Sequence, residues 1–155
     1  MTALTTGGTI SGVGKFLKER KRDVLIVGAD PEGSIYTQGP DGDIHQYEVE
    51  GVGEDFYPET VDLDVIDRFI AVDDAESFAM ARLLARNEGV LTGGSGGMAV
   101  EAAHRVAIED ESRLVVVIVP DSGRGYLSKV FNDDWMRDPG FKTQAGFDAQ
   151  AGLET

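Results

Sequence analysis

The chain has 155 residues, 41% of them hydrophobic, enough for one domain with a real core. Its formal charge of −14 argues against a nucleic-acid or anionic-membrane partner, because no basic patch can form. With no cysteine and only His45 and His104, disulfides and thiolate metal sites are excluded and no metal-ligand spacing is present. No apolar run reaches the length of a membrane span and no signal-peptide pattern opens the chain, so a cytoplasmic protein is expected.

In chain order, Thr5-Thr6-Gly7-Gly8-Thr9-Ile10-Ser11-Gly12 reads as a glycine-rich turn entering a helix. Glycines let backbone N–H groups converge, and the helix start adds a positive dipole end, so phosphate is the natural guest. The Thr6 and Thr9 hydroxyls would add donors; the plain alternative is a loop that caps a helix. No Gly-Lys-Ser/Thr follows, which argues against a P-loop, and the three-glycine dinucleotide fingerprint is missing. Met1–Leu4 is shorter than the strand that ordinarily precedes such a turn, so the sequence is expected to be the second part of a larger protein.

Residues 9–22 have helical spacing, with Ile10, Val13, Phe16 and Leu17 on one face and Lys15, Lys18 and Lys21 on the other. The run 24–29, ending at Asp30-Pro31, predicts a strand buried on both faces. A polar loop over 32–46 leads to an extended piece at Tyr47–Val52 and the turn Gly51-Val52-Gly53. Residues 69–72 predict a short strand, and Asp74 an N-cap for a helix carrying Phe78, Ala81, Leu84 and Ala85. Val90-Leu91-Thr92 runs into Gly93-Gly94-Ser95-Gly96-Gly97 and another helix. Leu114–Val119 is the strongest strand signal, closed by Pro120-Asp121, and a final helix is expected to include Tyr126, Leu127, Val130 and Phe131. After Trp135 periodicity is lost, which predicts a frayed tail over 138–155.

Strands alternating with helices predict an α/β fold with a mostly parallel sheet flanked by helices. Turns leaving parallel strands gather at one sheet edge, where ligands bind. The turns at 6–9, 51–53 and 93–95, taken with Asp121, are therefore expected to share that edge. Each could alternatively be a tight connector, Ser95 a helix N-cap, and Asp121 a helix cap.

In their order, Thr6–Gly12, Gly28-Ala29-Asp30-Pro31-Glu32-Gly33-Ser34, Val49–Phe56, Gly93-Gly94-Ser95 and Pro120-Asp121-Ser122 resemble the C-terminal half of the cystathionine β-synthase catalytic core. That family belongs to the β-family, fold type II, of pyridoxal-phosphate enzymes, shared with cysteine synthase. The likeness runs on through Tyr126–Lys129 to Trp135-Met136, so residues 1–137 are expected to be part of such a core, its N-terminal half missing.

The resemblance implies pyridoxal 5′-phosphate as cofactor, with Thr6, Gly7, Gly8 and Thr9 holding its phosphate. Ser95 would face the pyridine nitrogen, and Glu50, Gly51, Val52 and Gly53 would line the substrate mouth. It implies β-replacement on serine by homocysteine, giving cystathionine, in a homo-oligomer. The alternatives are cysteine synthase, using O-acetylserine and sulfide, and a non-catalytic cofactor-binding fragment. The family has Gly where Thr5 stands. Its Schiff-base lysine lies upstream of the phosphate turn, and none of Lys15, Lys18, Lys21, Lys129 and Lys142 matches it, so no catalytic residue is assigned.

Overall fold

The computed structural model describes residues 1–109, 114–137 and 141. Three parallel strands, β1 (Thr2–Ala3), β2 (Val27–Pro31) and β3 (Arg68–Val72), form one sheet in that order. Thr2 pairs with Gly28, and Val27 to Pro31 pair in step with Arg68 to Val72. Helix α1 (Gly8–Arg20) follows β1, and the short α2 (Ile35–Gln38) follows β2. Helices α3 (Asp74–Asn87) and α4 (Gly94–Glu109) follow β3, and α5 (Asp133–Arg137) comes last.

Alternation along the strands builds two cores. Val27, Ala29, Ile70 and Val72 pack with Phe78, Ala81, Met98, Ala102 and Val106 of α3 and α4. Leu4, Ile10, Ile26, Ile35 and Tyr36 form a second cluster with Ile66, joined by Phe69. Helices thus cover both faces of a parallel sheet, as the α/β expectation requires. α3 and α4 approach so closely that a Cβ on Gly97 would run into the backbone of Ser77 and Ala81.

Several expected elements differ. A strand does precede the phosphate turn, although it is only two residues long. The strand expected at 24–29 sits at Val27–Pro31, because Val24 and Leu25 lead into the sheet and pairing with β3 starts at Val27. Tyr47–Val52 forms no strand: the Glu48 and Val49 N–H groups donate to the Asp74 carboxylate, at 2.8 and 3.0 Å, not to a neighbouring strand. Asp74 is accordingly not the cap. Asp73 is, in a capping box with Glu76 whose two bonds measure 2.7 and 3.1 Å.

Leu114–Val119, the strongest signal, is extended but forms no assigned strand. Its recorded backbone partner is Met1, whose N–H donates to Val116 O (2.8 Å) and whose carbonyl accepts from Ile118 N–H (2.9 Å). One partner residue does not make a ladder. The helix expected around 126–131 is a 3₁₀ turn at Gly123–Tyr126 followed by further turns, and α5 starts only at Asp133. The tail expected over 138–155 lies outside the described residues except for Phe141. That ring packs edge-on against Phe78, centroids 5.1 Å apart.

Candidate active site at the sheet edge

The phosphate turn is built from Gly7. It is the N-cap of α1 in the left-handed region, φ 75°, and a Cβ there would lie 2.5 Å from the Val61 side chain. No side chain caps the helix, so its first N–H groups face outward beside Gly8, Thr6 and Thr9, all exposed. The turn is held from outside itself. The Tyr36 hydroxyl donates to Thr5 O at 2.6 Å, and the Thr60 hydroxyl donates to Thr6 O. Tyr36 carried no signal in the sequence, because its partner is a backbone carbonyl 31 residues away.

The 51–53 turn reaches the same edge. Gly53 N–H donates to Leu4 O, 2.7 Å, directly at the end of β1. Gly51 and Gly53 both have positive φ, 72° and 67°, and Gly53 has no room for a Cβ beside Pro31 and the Tyr47 hydroxyl. Of the expected mouth residues, Glu50 and Gly51 are exposed, whereas Val52 and Gly53 are buried. Val52 packs into the core cluster that includes residues of α3 and α4. Glu50 is ion-paired with Lys129, a link between the mouth and the C-terminal segment that sequence spacing does not show.

Ser95 lies in the first turn of α4, almost fully buried, and its hydroxyl makes no hydrogen bond to a described residue. The helix begins at Gly94, so Ser95 is not its N-cap. Asp121 does that work from a distance: its carboxylate accepts from Gly93 N–H (2.9 Å) and the Thr92 hydroxyl (3.1 Å). Tyr126 bonds the same carboxylate, and burial with this acidic partner pushes its phenol up to about 12. The 93–95 turn comes close to the segment leading into 51–53, since the Val49 side chain would lie 3.2 Å from a Cβ on Gly94. All three turns therefore sit at the C-terminal edge of the sheet, the edge at which open α/β sheets bind ligands.

Among the described residues, no group of three or more His, Cys, Asp or Glu could hold a metal ion. Lys15 and Lys18 pair with Asp62 and Asp67 at 2.7 and 2.6 Å, and Lys21 is exposed. Among the described residues, no helix is long and apolar enough to cross a membrane.

An uncapped helix start with a glycine that admits no side chain, at the C-terminal edge of a parallel sheet, defines an α/β protein with a candidate anion-binding edge. The sequence profile of the family described as "Pyridoxal-phosphate dependent enzyme" matches residues 1–121, and the chain belongs to that family. It is similar to the cystathionine beta-synthases of Oryctolagus cuniculus and Apis mellifera, each 46% identical over 140 residues and 88% of this chain. The Saccharomyces cerevisiae cystathionine beta-synthase is 47% identical over 142 residues, 85% of this chain. The chain spans about a quarter of these relatives: 25%, 28% and 27% of their lengths.

Proposed function

We propose that this chain supplies the phosphate cup, the ring-nitrogen partner and one wall of the substrate mouth for a pyridoxal-phosphate-dependent β-replacement. In that reaction the bond between serine's β-carbon and its hydroxyl breaks, and homocysteine's sulfur bonds to the β-carbon. The hydroxyl leaves as water with the thiol's proton, and the product is cystathionine. The observation that carries the reading is the uncapped start of α1, where Gly7, Gly8, Thr6 and Thr9 offer backbone and hydroxyl donors to one phosphate. The cofactor supplies an electron sink for the substrate's α-carbon.

Ser95 would tune that sink. A neutral hydroxyl does not hold a proton on the ring nitrogen as a carboxylate does, which favours loss of the β-substituent over reprotonation. Among the described residues no side chain or backbone group bonds its hydroxyl, which leaves it open to this role. Glu50 and Gly51 supply the exposed lip of the mouth, with Glu50 held by Lys129. Residues 1–137 would belong to the catalytic core, in a cytoplasmic homo-oligomer. No lysine here matches the Schiff-base position, so borohydride reduction of the isolated chain with the cofactor should label no single lysine selectively.

The test is product formation by the enzyme that contains this chain. Cystathionine from serine and homocysteine is expected; selective conversion of O-acetylserine and sulfide to cysteine would overturn the reading in favour of a cysteine synthase.

A further inference from the structure

Asp30 ends β2 with a fully buried side chain. Its Oδ2 accepts from Thr37 twice, from the N–H at 3.1 Å and the hydroxyl at 3.0 Å. Its Oδ1 is buried with no hydrogen-bond partner, and the Ser34 hydroxyl lies within reach of the same carboxylate. Such an orphaned charged oxygen is costly, and nothing in the reaction above uses it.

The residues touching Asp30 lead to both loops of the candidate site. Ser34 Oγ accepts from Glu54 N–H at 3.2 Å, and Ile35 N–H donates to Glu54 O at 2.9 Å, next to Gly53. Tyr36, between Ser34 and Thr37, holds the Thr5 carbonyl. The other ionisable groups sharing this region are the phenols of Tyr36 and Tyr47, the acids Glu54, Asp55 and Asp74, and the His45 imidazole, which packs against Gly33 beside Ser34. Burial pushes the Asp30 carboxyl up to about 6, outweighing the hydrogen bonds from Ser34 and Thr37 that favour its charge.

We propose that Asp30 is a positioning residue whose protonation state sets how firmly α2 and Ser34 hold the mouth loop at Glu54. When Asp30 is ionised, the Ser34 hydroxyl turns its hydrogen to the carboxylate and keeps its lone pairs for Glu54 N–H. When one proton from solvent occupies Oδ1, Asp30 becomes a donor. Ser34 Oγ, which already accepts from Glu54 N–H, is then an acceptor within its reach. The mouth loosens on the acid side while Thr37 stays bound to Oδ2. What this does for catalysis rests on the phosphate-and-mouth reading above; the coupling itself does not.

The test is an amide NMR titration, from acid to neutral pH, of the protein that contains this chain, freed of cofactor. The Thr37 and Glu54 amides should shift with one shared midpoint, at about 6. Glu54→Gln should keep that shift, which shows that it does not report the Glu54 carboxyl. Ser34→Ala should abolish the Glu54 response and leave that of Thr37; Asp30→Asn should abolish both. No shared midpoint in the wild type would overturn the proposal, as would a Glu54 response that survives Ser34→Ala. Both are decided even where Asp30→Asn does not fold. Failure of the chain to bind pyridoxal phosphate would overturn the phosphate cup and leave this titration unchanged.

Discussion

Gly7 and Asp30 carry the sharpest residue-scale consequences. Gly7→Ala adds a side chain where φ is 75° and where Val61 occupies the space, so it should cost about 1–3 kcal/mol of stability in chemical denaturation. Thr9→Ala removes one donor to a charged phosphate, worth ~1.5–3 kcal/mol. Affinity for pyridoxal phosphate should fall roughly tenfold to a hundredfold, while that for pyridoxal, which has no phosphate, stays unchanged in a fluorescence titration. Ser95→Asp should instead slow loss of the β-substituent, and excess cofactor should rescue Thr9→Ala but not Ser95→Asp. Asp30 has the opposite sign from an ordinary paired carboxylate. Its folded pKa of about 6 exceeds the ordinary 3.8, so between those values the native state binds more protons than the unfolded chain. Stability should therefore fall as pH rises through that window, by up to about 3 kcal/mol, and change little outside it. Asp30→Asn, which keeps an acceptor for Thr37, should melt higher than wild type above the window and show no such decline through it.

At the scale of elements, termini are where this chain spends its polar side chains. The Asp73–Glu76 capping box satisfies both its partners at the start of α3, so Asp73→Ala should lower stability by about 1 kcal/mol in thermal melts. The start of α4 is tied instead by Asp121, 28 residues from Gly93, and that of α1 is left uncapped. Of the three long helices, α3 and α4 thus have a carboxylate bound at their starts and α1 has none. Helices read well from sequence because their apolar spacing is local. Leu114–Val119 misled because apolarity predicts burial on a sheet, whereas assignment as a strand needs a neighbour with several free backbone groups.

Across the whole molecule, an apolar groove of about 670 Å³ lies between α1 and the 114–118 segment, lined by Val13, Leu17, Leu25, Leu114 and Val116. Leu114 is 92% exposed and Val116 67%, far beyond scattered surface apolar residues. Despite a charge of −14, the chain should therefore self-associate, and Leu114→Lys with Val116→Lys should shift it towards monomer in light scattering. A monodisperse wild-type monomer would contradict this.

The sequence by itself determined the α/β class, the helices with local periodicity, and the ordered glycine turns that carry the family likeness. It did so because helical spacing, strand-like runs and glycine's freedom act over a few residues. Only the tertiary structure decided what each turn is tied to. Gly53 is held by Leu4, Glu50 by Lys129, Thr5 by Tyr36 and the α4 start by Asp121. Val52 was packed into the core, and Asp30 was left with one oxygen unpaired. Such bonds join residues tens of positions apart, and burial of a carboxylate depends on what packs around it. Neither leaves a local mark for a sequence to display.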